Sequence, residues 1–212
     1  MELTLVVSGL LWNRNLVMLD LETESLWSHI LGEAKAGELQ GEHLDRLSSV
    51  MTDWSTWKST HPDTTVALLP RTANQYRREF YGDPAQFVLG ISRGAAAKAW
   101  SYDQLAQVPV VNDSVQEVPI VIFYEPSSAT VVAYERTLDD HELTFQHNDD
   151  GYQDAQTGSR WNRMTGKAIS GPLSERQLKP AVGVVSLRRT WEVFCPESDY
   201  WQPPSLGSGI DF

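Results

Sequence analysis

Short apolar stretches alternate with polar turns along this chain, and no long helical period runs through it. Leu3 to Leu11 and Leu16 to Leu19 flank Asn13-Arg14-Asn15, which predicts a β-hairpin over residues 3–20. Thr64 to Leu69 predicts a strand stopped by Pro70, and Phe87-Val88-Leu89-Gly90-Ile91 predicts another. Val118 to Tyr124 and Thr130 to Thr137, rich in Val, Ile and aromatic residues, predict two more strands. Leu138-Asp139-Asp140-His141 reads as a hairpin turn between Tyr134 and Phe145, and Ala95 to Gln107 as a short helix. The expected fold class is β-dominated α+β: short strands and hairpins with a few short helices, sandwich- or barrel-like.

The strands belong to an internal duplication. Residues 20–62 lie over residues 154–196 at a constant shift of 134, without a gap and with 13 identities. Ordinary composition gives roughly 3 by chance. Asp20, Thr23, Ser25, Trp27, Gly32, Ala34 and Gly37 meet Asp154, Thr157, Ser159, Trp161, Gly166, Ala168 and Gly171, and Trp57 and Pro62 meet Trp191 and Pro196. The Asp and Thr suit a turn, because their side-chain oxygens bond nearby backbone donors. Ser-x-Trp reads as a strand, the glycines as turns or close approaches, and each second Trp as a short helix ended by the following Pro. Repeated aromatics and glycines of this kind mark cores and turns before they mark sites. The expected organisation is a first, partial repeat over 1–70, a connector over 71–85, a second repeat over 86–201 and a flexible tail over 202–212, together one globule.

Composition narrows the function classes. The 212 residues are 41 % hydrophobic and 21 % charged, which argues against disorder. Seventeen basic against 28 acidic residues leave a net charge of −11, a poor match for phosphate backbones or anionic lipid. No apolar run approaches the roughly 18 residues of a membrane helix. Nucleic-acid and membrane partners are therefore not expected, and a small-molecule substrate is. Cys195 is the only cysteine, so an internal disulfide and a cysteine-based zinc cage are excluded. Met1-Glu2-Leu3-Thr4-Leu5 lacks the features of a signal peptide. The expected location is cytoplasmic for the chain as it stands, with an extracytoplasmic origin if the natural start lies upstream.

The chain resembles the family known as domain of unknown function 3179, found in bacteria and archaea. In the first half the likeness rests on Val7-Ser8-Gly9-Leu10-Leu11, Leu16-Val17-Met18, Ser25-Leu26-Trp27, Gly32-Glu33-Ala34, Trp54-x-x-Trp57 and His61-Pro62-Asp63-Thr64. In the second it rests on Val88-Leu89-Gly90, Lys98-Ala99, Val111-Asn112-Asp113, Val118-Pro119 and Ala133-Tyr134-Glu135-Arg136. The resemblance implies no activity. It does imply a Tyr-Cys-Pro-x-Cys-Gly segment, with a His ahead of Val-Asn-Asp, that looks like a soft-metal or redox site. Here that segment is Tyr124-Glu125-Pro126-Ser127-Ser128-Ala129, with Val108 at the His position, so thiol chemistry is not expected. The hairpin that follows the cysteine segment in the family opens this chain, which reads as one complete repeat preceded by the latter part of another.

The densest polar stretch is Asp139-Asp140-His141-Glu142 followed by His147-Asn148-Asp149-Asp150-Gly151-Tyr152-Gln153-Asp154. Asp139, Asp140, Asp149, Asp150 and Asp154 are candidate ligands for Ca²⁺ or another divalent cation, which takes 6–8 oxygens. The spacing is not that of an EF-hand, and the same residues are the ordinary material of solvated hairpin turns. A bound cation polarises an ester or lactone carbonyl and acidifies bound water, with His147 or His141 as base. Glu125 and Ser128 form a second polar group, although no Gly-x-Ser-x-Gly elbow supports a serine nucleophile. No phosphate loop, dinucleotide fingerprint or His-Glu-x-x-His occurs. His61 is matched by Cys195 in the other repeat, which argues against a shared metal role there. Two functions are in view: a small ester or lactone hydrolase assisted by a divalent cation, and a non-catalytic binding or structural module built from a degenerate duplicated β unit.

Overall fold

The structure is a computed structural model and describes residues 1–67 and 83–204. Its elements are β1 (Leu5–Trp12), β2 (Asn15–Asp20), β3 (Leu26–Ser28), β4 (Glu33–Ala36), α1 (Trp54–Thr60), β5 (Phe87–Arg93), β6 (Ala96–Ser101), α2 (Tyr102–Leu105) and β7 (Val110–Val115). There follow β8 (Val118–Glu125), β9 (Thr130–Glu135), β10 (Thr137–Leu138), β11 (His141–Glu142), β12 (Phe145–Asn148), β13 (Gly151–Asp154) and β14 (Arg160–Asn162). The last are β15 (Lys167–Ser170), β16 (Lys179–Pro180), β17 (Val184–Leu187), α3 (Arg188–Phe194) and β18 (Asp199–Tyr200). The fold is β-dominated, as its sequence pattern predicts.

The duplication is structural. Strands β2, β3 and β4 recur at the 134-residue shift as β13, β14 and β15, and α1 recurs as α3 with the same end points. Even the isolated bridge Glu33–His43 recurs as Lys167–Gln177. Gly37 and Gly171 explain one shared glycine: a Cβ on either would lie 2.6 or 2.7 Å from the Cα of Ser25 or Ser159, at φ of +99° or +92°. No side chain fits there, so the bend that leaves the repeat's last strand demands glycine at that position.

Contacts gather the chain into two compact units, one of Met1–Leu47 with Arg189–Pro196 and one of Ser48–Arg188 with the segment from Glu197. Repeat copies and units are thus different partitions. The helix closing the first copy, α1, belongs to the second unit, and most of α3, which closes the second copy, belongs to the first.

In the first unit, β1 to β4 form one antiparallel sheet in chain order. Asn13 and Arg14 both have positive φ, the requirement of the type I′ turn whose twist suits a two-residue hairpin. Val17, Trp27, Ala34 and Trp191 are buried, and Trp12 meets Phe194 edge to face at 5.0 Å.

The second unit stacks three sheets. The middle one, in the order β16-β9-β8-β7, is apolar on both faces. Ile120, Ile122, Tyr124, Val131 and Ala133 pack with Leu89, Ile91 and Trp100 of the sheet β17-β5-β6-β18. Val121, Phe123, Val132 and Tyr134 pack with Phe145, Tyr152, Trp161 and Ala168 of the sheet β12 to β15. That is why β8 reads as an unbroken apolar run instead of an alternation. Asn112 fastens the third sheet: its Nδ2 donates to Phe145 O and its Oδ1 accepts from Phe145 N, both at 2.8 Å.

Ala95 to Gln107 carries the expected short helix only in its second half. Ala96–Ser101 is a strand in continuous antiparallel register with β5, and only Tyr102–Leu105 turns helical. Alanine's helix preference yields to burial of Ala99 and Trp100 against the neighbouring strands. Residues 64–67 form no strand, and the rest of the Thr64 to Leu69 expectation, most of the connector and the tail from residue 205 lie outside the described residues. Among the described residues no helix is long and apolar enough to cross a membrane.

Candidate functional site

The polar residues of the repeat are consumed by the fold. Asp20 Oδ1 accepts from Thr23 N at 2.6 Å and from Thr23 Oγ1 at 2.8 Å, and its Oδ2 accepts from Trp27 Nε1 at 2.7 Å. Asp154 repeats the set with Thr157 N at 2.6 Å, Thr157 Oγ1 at 2.9 Å and Trp161 Nε1 at 3.0 Å. Burial works to raise the Asp20 pKa, but the bonds from Trp27, Thr23 and the Ser25 backbone outweigh it and hold the carboxyl below its ordinary value. The loop closes as Ser25 Oγ accepts from Leu39 N and Ser159 Oγ from Leu173 N.

The acidic stretch is divided between two hairpin ends. Asp139 and Asp140 are the positive-φ residues of a type I′ turn joining β10 to β11, and both are exposed. Asp139 pairs with Arg176, and exposed His141 holds its Nδ1 2.7 Å from Asp139 O. Asp149 and Asp150 are exposed at the tip of the β12–β13 hairpin, where Asp150 N donates to Asn148 Oδ1 and Gly151 takes φ +101°. Asp154 faces inward and is committed to Thr157 and Trp161. Among the described residues no group of three His, Cys, Asp or Glu side chains is placed to hold a cation. The physical reason is local: turns of opposite strands need Asp and Asn for their backbone bonds, and this use points them into water.

Two of the four candidate catalytic residues do share a neighbourhood, at the position where the resemblance implies cysteines. Glu125, at the end of β8, accepts from Ser127 Oγ at 2.9 Å and pairs with Arg163 Nη2 at 3.1 Å. Arg163 Nη1 donates to Tyr152 OH at 3.1 Å, and the His147 ring lies 4.6 Å from the Tyr152 ring. The bonds from Ser127 first, then the charges of Arg163 and His147, hold the Glu125 carboxyl below its ordinary range. An ionised, paired carboxylate is suited to orienting a cation and unsuited to donating a proton. Ser128 stands in a different group: its hydroxyl is 2.6 Å from Thr130 Oγ1, which is in turn 2.6 Å from Thr52 Oγ1. Among the described residues no His, Asp or Glu side chain hydrogen-bonds to Ser128 in this chain of hydroxyls.

The second unit also holds a cleft of about 260 Å³, lined among others by His61, Leu89, Ala133, Tyr134, Met164 and Thr165. None of the nine residues selected from the sequence lines it. Arg163, Tyr152 and His61 were missed, yet the repeat carries a signal for them. Arg163 and Tyr152 stand where the first copy has His29 and Met18, and His61 stands where the second has Cys195. These positions differ between the copies, so the shared repeat does not fix them.

Geometry and sequence together define a duplicated, multi-sheet β protein. A family model described as a protein of unknown function (DUF3179) matches residues 1–87 and again residues 83–199. The chain belongs to that family. No match was found among curated proteins or among solved structures.

Proposed function

We propose that the chain is a non-catalytic binding module built from a degenerate duplicated β unit. The observation that carries this reading is the hydrogen-bonding of the repeat: in both copies the Asp, Thr, Ser and Trp side chains satisfy one another and the adjoining backbone. The remaining acids occupy hairpin turns, and Glu125 is engaged by Arg163 and Ser127. A general base needs a free, aimed lone pair, and a cation needs converging oxygens. The test is turnover of a panel of small esters and lactones, read by pH-stat and by NMR, with added calcium and with chelator. The expected result is no product above the uncatalysed rate under any condition.

A second reading, a small ester or lactone hydrolase, has one observation in its favour: Arg163 joins Glu125 to Tyr152, whose ring lies 4.6 Å from the ring of exposed His147. Calcium-dependent turnover abolished by His147→Ala would favour the cation-assisted form. Turnover indifferent to chelator and abolished by the same substitution would favour a metal-free form.

A further inference from the structure

We infer that the cleft of the second unit is a binding site for a compact, uncharged molecule with an apolar body and one hydrogen-bonding end, the chemistry of a small lactone or ester. This deepens the binding-module reading and rests on it.

Size and charge decide the ligand class. A volume of about 260 Å³ lies just below the roughly 300 to 1,000 Å³ of drug-sized ligand sites, so the occupant is small. Among the described residues no Asp, Glu, Lys or Arg side chain lines the space. An ionised ligand would lose its hydration there with no counter-charge to replace it, and an anion would enter against a protein of net charge −11. A neutral body meets Leu89, Ala133 and Met164 instead.

The walls are held open. Tyr134 lines the cleft while its hydroxyl donates to Arg163 O at 2.9 Å and Met164 O at 2.8 Å. Gly166 permits that ring position, since a Cβ there would lie 2.4 Å from Tyr134 Cε1. Gly183 likewise lets Leu89 approach, its own Cβ position being 2.9 Å from Leu89 Cδ1. With the Tyr134 hydroxyl committed, His61, Ser48, Ser49 and Thr165 are the other polar side chains among the described lining residues. A neutral carbonyl has donors there.

The duplication supplies a second, independent observation. At the 134-residue shift, His61, Ser48, Ser49 and Thr165 correspond to Cys195, Val182, Gly183 and Leu31. The second copy is made without the imidazole and the two serine hydroxyls, and the first without the threonine hydroxyl, so the shared repeat does not fix any of them. Their gathering around one cavity is left for a ligand to explain.

The probe is δ-valerolactone, with its ring-opened 5-hydroxypentanoate as the charged control, titrated into the full chain. Trp57 supplies the optical readout, because its ring stacks on His61 at 4.0 Å, and ligand-observed NMR supplies a second. Saturable lactone binding is expected, with the hydroxy acid weaker by about tenfold or more, the factor one unpaired polar group is worth. Val50→Trp, which fills the cleft from its edge, should abolish binding, and His61→Phe, which keeps a ring against Trp57, should weaken it by about tenfold. Absence of saturation overturns the inference. So does equal affinity for the anion, or binding indifferent to both substitutions. Ring-opened product in the same NMR samples would overturn the non-catalytic reading alone, leaving the cleft in place.

Discussion

Truncating Asp154 to alanine tests whether the repeat's carboxylate is structural. The side chain is fully buried and accepts from three donors: Trp161 Nε1–H, Thr157 N–H and Thr157 Oγ1–H. Trp161 is itself buried, so its indole N–H loses its partner with no water to replace it, at about 1–3 kcal/mol. Thr157 is exposed, and its two donors recover most of their loss from solvent or from Ser159 Oγ, so each adds about 0.5–1 kcal/mol. The sum is about 2–5 kcal/mol, and at an m-value of about 2 kcal/mol per molar the urea midpoint falls by about 1–2.5 M. Asp154→Asn keeps one acceptor oxygen and should lose roughly half as much. Urea unfolding followed by tryptophan emission measures both. A loss below about 1 kcal/mol for the alanine variant would refute the reasoning, because a buried indole N–H would then have found another partner.

Gly166→Ala sets a Cβ against the Tyr134 ring at φ +68°, and should cost about 1–3 kcal/mol in thermal or urea unfolding through overpacking and strain. Asn112→Ala removes both partners of the Phe145 backbone and should speed amide exchange across β12 before it affects β5. Glu125 is held below its ordinary pKa by Ser127 and Arg163, and Glu135 by Arg93 and Lys179 against the opposing effect of burial. Each therefore contributes stability that is present above the unfolded-state value of about 4.3 and is lost as pH falls through the lower folded value. Urea titrations across that range should show the loss, flattened in Glu125→Gln. Calcium at a hundredfold excess over the dissociation constant of a real site would add about 2.7 kcal/mol, so an unchanged melting temperature in calcium and in chelator is the expected outcome.

Much of the architecture was legible because local chemistry and tertiary role agree. Asp20 and Asp154 announce a turn by their spacing to Thr23 and Thr157, and the turn they make is the one their side chains favour. Ala96–Ser101 misled because alanine is read as helical wherever its partners are unseen, and the register with β5 is not a local property. The site was harder to read for the same reason. His147 and Tyr152 face each other across the β12–β13 hairpin and Arg163 follows β14 of the same sheet, but Glu125 ends β8, and only the stacking of sheets brings it to them. The acidic run looked like a ligand set because density along a chain imitates density in space. A two-residue turn sends consecutive acids outward, and the one inward member, Asp154, was already bonded.

The exchange of terminal helices between the two units bears on how the gene can be cut. A break anywhere between Ser48 and Arg188 leaves Met1–Leu47 and Arg189–Pro196, which form one body, on separate polypeptides. Expressing the halves apart would strand an incomplete piece on each side of the scission, and co-expression would have to restore by association what covalent continuity now provides. Trimming within residues 1–47 from one end, or past Pro196 from the other, takes material from the same body.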